Sequence, residues 1–407
     1  MELLVTGRRL WESEAIWRFV DVLAPRGFGF ILHTWLLWHF GADAYALPAW
    51  IIATFGLIAS LIPDPSGYVL LAGHFARARL RARLLSSWVW GKTLIGASCS
   101  LLVLMVFANP LLAELPPHAN VLAIIGGSLL FAVSETLWAV CNLNRFAMGQ
   151  LVPWARWGVL LRVAGLGGAI TLGGVLDFGI GGPLLIFSLP LAVVSLLSLP
   201  APVLDRRSLI AGVHALRCYS LWTQLNGFLL SLLMQAPVFF AGANVNLTPA
   251  LIGQLAYAVR VLNFLVQPLM VLQSIVVRDY ARLRSVTRSL NLYRLLYRLS
   301  GGVILASTAL LAWFFSEIRM MLLFFGLGLA FFSIFRFEFA LLNALRDVRF
   351  LSLRVFLPVA VFFGLAVLPF RQNLTGVALV ITVAHILLTL LLLLQVRRRI
   401  AFSGDGR

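Results

Sequence analysis

Charge is scarce in this 407-residue chain. Only 12% of its residues are Asp, Glu, Lys or Arg, and acids are scarcer still, 15 against 32 bases. Soluble chains carry about 25% charged residues. A soluble domain of this length could not hide a composition that is 61% hydrophobic, with a mean hydropathy of +0.96. Cysteine is nearly absent too. Cys99, Cys141 and Cys218 lie in or beside apolar segments without metal-ligand spacing, so they read as small packing residues, and no metal site is expected. The opening MELLVTGRRLWESEAIWRFV has no apolar core and no cleavage site of a signal peptide. Its Arg, Trp and Glu pattern suits a short interfacial helix. There is no GxSxG, no P-loop, no HExxH and no carboxylate pair in a plausible soluble domain. The longest loops are short and basic, which leaves little room for a catalytic ectodomain; a non-enzyme without a cofactor is expected. The apolar runs are continuous, not alternating, which excludes an outer-membrane barrel.

What the chain has is apolar length. A span needs about 20 apolar residues, and twelve are legible: 20–40, 45–73, 88–108, 120–141, 155–175, 180–200, 218–241, 249–277, 300–316, 319–343, 352–370 and 374–396. The bases divide between the two sides. Arg8, Arg9 and Arg18 precede the first span; Arg77, Arg79, Arg81, Arg83 and Lys92 follow the second; Arg145, Arg156 and Arg162 surround the link between the fourth and fifth. Arg206, Arg207 and Arg217, then Arg278 to Arg298, Arg346 to Arg354 and Arg397 to Arg399 continue the alternation. The intervening loops GADA, NPLLAELPPHAN, LDFGIGG and GANVNLT carry no base, and only Arg319 and Arg371 fall on their side. This is the positive-inside pattern, which predicts an even number of spans with both termini cytoplasmic. It also accounts for the net charge of +17 without nucleic acid, since these arginines serve as topology signals and headgroup contacts.

The halves resemble each other. FARAR at 75–79 ends the second span and YARLR at 280–284 ends the eighth, an offset of 205 that also relates Pro63 to Pro268. NLNR at 142–145 and NALR at 343–346 end the fourth and tenth at an offset of 201. Two six-span halves, 1–205 with the interfacial N-terminal helix and 206–407, are therefore expected. They share an orientation, as in parallel-repeat transporters, with a substrate path between them.

Polar residues inside spans carry the functional reading. Arg26 stands in APRGFGFILHTWLLWHFG, where a guanidinium near a bilayer centre costs at least roughly 2.5 kcal/mol. Gln254, Tyr257, Arg260, Asn263 and Gln267 recur at steps of 3, 3, 3 and 4, one face of a helix, which must meet protein or water. Arg336 and Glu338 lie roughly 200° apart on their helix, so one is expected to line a cavity and the other to pair with a neighbouring span. Asp21 sits near the cytoplasmic interface. Glu135 shares a face with Trp138, Asn142 and Arg145, and aligns with Arg336 across the repeat. Asp21, Glu135 and Glu338 are candidates either for ion or proton coupling or for structural ion pairs. His33 and His385 read as hydrogen-bonded structure. Pro63 and Pro65 interrupt the second span and Pro268 the eighth, at repeat-related positions that suit either gate hinges or static kinks.

On Arg26-Gly27-Phe28-Gly29-Phe30 followed by Phe40-Gly41, on Ala256-Tyr257-Ala258-Val259-Arg260, and on NLNRFAMGQLVPWAR after the fourth span, the chain resembles the MOP exporter superfamily. Within it, the resemblance is to the bacterial polysaccharide-precursor, or O-antigen repeat-unit, flippases. It implies an all-α polytopic membrane protein of about twelve transmembrane helices in two six-helix bundles, arranged as a V around a positively charged cavity. It further implies movement of a polyprenyl-diphosphate-linked oligosaccharide from the cytoplasmic to the outer leaflet of the bacterial inner membrane by alternating access. Arg26 and Arg260 match arginines that the lipid II flippase branch uses in its cavity. That branch has a second arginine six residues after the first, where this chain has Leu32, and often two further C-terminal spans. These departures favour an O-antigen, capsule or exopolysaccharide repeat unit.

The expected substrate-binding set is Arg26, Arg260, Arg336, Gln254, Tyr257, Asn263 and Gln267. The arginines would take phosphate through charge-assisted bonds, and Gln254, Asn263 and Gln267 would take sugar hydroxyls. The expected partners are the lipid-linked glycan, membrane lipids and a glycan polymerase or ligase assembly. Three alternatives stand beside this one. A drug/cation antiporter of the same superfamily should show an acid-dominated cavity. A membrane ligase or polymerase should carry a large outward loop. A non-transporting scaffold need carry no substrate site.

Overall fold

The computed structural model describes residues 14–62, 78–107, 111–112, 115, 120–147, 151–173, 179–199, 221–244, 247–283, 287–344 and 351–404. Pro63, Pro65, Cys218, residues 1–13 of the expected interfacial helix and much of the FARAR segment lie outside them.

Among the described residues the regular structure is helical: α1 (Glu14–Leu61), α2 (Ala78–Phe107), α3 (Val121–Ala147), α4 (Leu151–Leu172), α5 (Gly181–Ser198), α6 (Leu221–Gly242), α7 (Pro249–Leu283), α8 (Thr287–Phe314), α9 (Arg319–Ile334), α10 (Arg336–Ala344), α11 (Leu357–Val367) and α12 (Leu374–Gly404). Nine stretches among the described residues are long and apolar enough to cross a membrane, including 39 residues in α1; Trp90–Val106 of α2 is a shorter apolar helix. The chain is a polytopic, all-α membrane protein.

α1 holds the first two expected spans as the arms of a hairpin. Gly41 has φ 84° and ψ 166°, a conformation that favours glycine over any L residue. The Tyr45 hydroxyl lies 3.1 Å from His33 Nδ1. Twelve residues of unbroken helix would hold them about 18 Å apart, so the chain turns back at Gly41, inside the base-free GADA loop. Other loops supply helix caps. Asn120 Oδ1 accepts the Ala123 amide at 3.0 Å at the start of α3, and Asn373 Oδ1 accepts that of Gly376 at 3.2 Å at the start of α12.

The chain divides into two compact units, Met1–Gln224 and Leu225–Arg407. In the first, α1 packs on α2, α3 and α4, and α5 packs on α3 and α4. A Cβ on Gly127 of α3 would lie 2.6 Å from the Gly181 carbonyl oxygen of α5, the small-residue approach that membrane helices use in place of a hydrophobic driving force. In the second, α7 packs on α8, α8 on α9, and α12 on both α9 and α11. The contacts between the fourth and sixth spans, and between the fifth and sixth, thus recur as tenth with twelfth and eleventh with twelfth, the pattern of a duplicated bundle.

Two features differ from the expected spans. Helices run beyond the apolar stretches. α8 starts at Thr287, not near 300, and carries Arg288, Arg294 and Arg298; α2 starts at Ala78 and carries Arg79, Arg81 and Arg83. Arginine is a good helix former whose long stem lies along apolar surface while its head reaches water, so the helix continues through the interface. The tenth span is broken at Phe335 (φ −102°, ψ 7°), directly before Arg336, and splits into α9 and α10.

Candidate functional site

The first unit contains a cluster of four charges from three helices. Asp21 and Arg26 come from the first arm of α1, Glu135 from α3 and Arg162 from α4. Arg162 Nη2 donates to Glu135 Oε2 at 2.7 Å, and Nε donates to Oε1 at 3.2 Å. This bidentate pair is the geometry in which guanidinium and carboxylate bind best. Arg162 is 1% exposed. Its Nη1 donates to the Gly158 carbonyl at 3.3 Å, and its guanidinium lies 5.4 Å from the Trp138 ring centroid. Trp138 stacks on Trp154 with centroids 4.6 Å apart, and Arg145 covers the far face of the pair at 5.0 Å from Trp154. Arginine, two tryptophans and arginine therefore form one column between α3 and α4.

Asp21 is tied to α3 by Asn142, whose Nδ2 donates to Asp21 Oδ1 at 2.7 Å. Asp21 lies within the fields of Arg162, Arg26 and Glu135, and Arg26 within those of Glu135 and Asp21. Arg26 is exposed, one residue beyond Pro25 inside the helix. The structure brings together Asp21, Arg26 and Glu135 of the expected residues. It corrects one reading: Arg162, counted with the loop arginines, is a buried helix residue, and it pairs with Glu135 inside the same unit.

In the second unit, Gln254, Tyr257, Arg260, Asn263 and Gln267 are all half-buried, while Leu255, Ala256, Ala258, Val259, Leu262 and Val266 of the same helix are buried. The polar stripe thus occupies the less buried side of α7, and the apolar side fills the core. Asn263 Nδ2 donates to the Met234 carbonyl of α6 at 3.3 Å, and Gln267 Nε2 to the Asn263 carbonyl at 3.2 Å. Asn263 Oδ1 and Gln267 Oε1 have no hydrogen-bond partner among the described residues. Both are acceptors one turn apart, and both are enclosed in this conformation. Tyr257 meets Phe315 edge-on at 6.4 Å. Pro268 is exposed inside α7.

Arg336 is 2% exposed, with its guanidinium 5.5 Å from the Phe332 ring and near Tyr297. In this conformation it lies in the core of its unit. Glu338, two residues on, lies in the fields of Arg294 and Arg298 of α8, and Arg294 covers Phe337 at 5.1 Å. The two side chains meet different neighbours, as their angular separation requires. His33 meets the Tyr45 hydroxyl and packs edge-on against Phe131 at 5.2 Å; His385 Nδ1 donates to the Ile381 carbonyl at 3.0 Å. Among the described residues no group of three or more His, Cys, Asp or Glu is placed to hold a metal ion.

An embedded charge cluster thus lies in one unit and an arginine-bearing polar stripe in the other. No protein-family model matches the chain, and no curated protein matches it. Solved structures do. The lipid II flippase MurJ, in an inward closed conformation, is 16% identical with a TM-score of 0.63, over 94% of this chain and 87% of that one. The eukaryotic MATE transporter AtDTX14 is 13% identical with a TM-score of 0.57, over 97% and 96%. An inward-facing multidrug resistance MATE transporter of the MOP superfamily is 14% identical with a TM-score of 0.52, over 97% and 100%. The chain has the MOP-type fold over nearly its whole length.

Proposed function

We propose that this protein is a flippase that carries a polyprenyl-diphosphate-linked oligosaccharide from the cytoplasmic to the outer leaflet of a bacterial inner membrane, for cell-surface polysaccharide synthesis. The observation that carries the reading is the polar side of α7, where Arg260 stands among amide and phenol groups on a face that lipid cannot solvate. A diphosphate headgroup is a dianion or more, and a guanidinium binds it through paired, charge-assisted hydrogen bonds. Asn263 Oδ1 and Gln267 Oε1 are acceptors at one turn's spacing for sugar hydroxyls once a conformational change uncovers them, since both are buried as they stand. In the first unit, exposed Arg26 is the second phosphate contact. Arg336 contributes only if the break at Phe335 lets α10 reorient, since it is buried as it stands. The likeness to a lipid II flippase supports a lipid-linked substrate. Leu32 supports a glycan other than lipid II. A polymerase or ligase of the same pathway is the natural partner.

The halves 1–205 and 206–407 serve as the two repeats, and both termini face the cytoplasm. Reporter fusions test the orientation: a periplasm-dependent enzyme active after Asp43 and inactive after Gly404 is expected, and the reverse would contradict it.

A drug/cation antiporter is the second reading, favoured by the MATE neighbours and by Asp21 and Glu135 in the first unit. Reconstituted vesicles separate the two. The proposal expects a fluorescent polyprenyl-diphosphate oligosaccharide to exchange between leaflets faster than in protein-free vesicles, with no gradient-driven uptake of a fluorescent organic cation. Cation uptake without lipid exchange would establish the antiporter. Neither activity, with and without proton or sodium gradients, would leave the scaffold.

A further inference from the structure

Two carboxylates that meet inside a membrane bundle require a positive charge, since neither lipid nor a dry core can stabilise them. Asp21 and Glu135 reach one another's fields from two different helices. The chain supplies their counter-charge from a third. We propose that the Arg162 guanidinium is a built-in counter-cation, holding permanently the place that a monovalent cation would otherwise take between Asp21 and Glu135, and that its removal opens this cluster to an external cation.

Three observations carry the proposal. Arg162 engages both oxygens of Glu135, at 2.7 and 3.2 Å, and is the foremost of the charges acting on Asp21. It is fixed, not tethered loosely: Gly158 accepts from its Nη1, and Trp138 lies beneath it, itself stacked on Trp154. A guanidinium so held cannot dissociate from the cluster. Taking Arg162 away would leave a set of hard oxygen ligands, the two carboxylates, with Asp21 held in place by the Asn142 Nδ2 donor at 2.7 Å. Such a set suits a hard monovalent ion or free guanidinium. Arg26, the remaining charge at the cluster, brings it to two acids and two arginines. The natural protein therefore has no call for sodium at this position, whichever substrate it carries.

The test needs no transport assay. Purified full-length Arg162→Ala is unfolded thermally in detergent with millimolar guanidinium chloride, sodium chloride or choline chloride at matched ionic strength. A ligand that binds only the folded state raises its midpoint. The variant is expected to unfold at a lower temperature than the wild type. Guanidinium or sodium should then raise its midpoint by several degrees beyond choline, while the wild type responds equally to all three. Equal responses by the variant to all three salts would overturn the proposal, as would a wild-type rise with sodium as large as the variant's. If Arg162→Ala does not accumulate, the double variant Glu135→Gln/Arg162→Gln replaces it. With the acid neutralised no counter-cation is needed, so this variant should accumulate and show no salt specificity. Its failure to accumulate would mark Arg162 as a packing element and overturn the proposal.

Discussion

Single residues inside the membrane carry the functional argument, and arginines carry most of it. Their positions were legible; their depths were not always so. Arg26 and Arg260 stand inside apolar runs and identify themselves. Arg162 lies in a segment with Arg145 and Arg156 close by, and side bias alone cannot say which of three arginines near a link is embedded. The usable signal was the WARWGVLLR spacing, which puts Arg162 nearly two helical turns further into α4 than Arg156. Glu135 was a candidate for ion or proton coupling or for a structural ion pair, and its carboxylate meets Arg162. Repeat alignment pointed to Arg336, yet the partner came from the adjacent helix, because a buried acid is satisfied by what packs against it. The close approach that seats Arg162 is itself testable. A Cβ on Gly158 would lie 2.6 Å from Trp138 Cζ2, whereas one on Gly167 of the same helix would meet nothing within 4 Å. Gly158→Ala is expected to lose about 1–3 kcal/mol by overpacking, read as a lower unfolding midpoint. Gly167→Ala should be neutral or gain up to about 1 kcal/mol from helix propensity. Equal midpoints for the two variants would contradict the packing described for the tryptophan column.

At the scale of elements, apolar length located the spans, and their ends were the least certain part. Length and hydropathy report where lipid is, while a helix ends where its backbone groups find other partners, so α2 and α8 continue through basic turns. Neither periodicity nor composition marked the break at Phe335, since the FFSIFRFEF stretch contains no Gly or Pro. Gly41 lay in a loop expected from its missing bases, and its backbone shows how four residues suffice for a turn. Pro268 remains the element-scale proposal for motion. It removes one backbone donor from α7 beside the polar stripe. If it is a hinge, Pro268→Ala should raise the unfolding midpoint, by up to about 3 kcal/mol of restored helix, and slow exchange several-fold at unchanged abundance. Unchanged exchange rates would identify a static kink instead.

For the molecule as a whole, the positive-inside count and the short repeat matches lead to the expectation of two halves divided at 205/206; the compact units divide at 224/225, and some helix contacts of one recur in the other. What no whole-chain property contains is the cargo. The fold is common to proteins described as drug transporters and as a lipid flippase, so substrate class rests on the few embedded side chains. The central claim is that Arg26 and Arg260 hold the diphosphate of a lipid-linked glycan. The measurement that tests it most directly is leaflet exchange of a fluorescent polyprenyl-diphosphate oligosaccharide in vesicles, read by an external quencher, for the wild type, Arg26→Ala and Arg260→Ala at equal protein density. The account predicts fast exchange by the wild type and exchange at the protein-free rate for each variant, with both variants still inserted and folded. Wild-type exchange rates in both variants would contradict it.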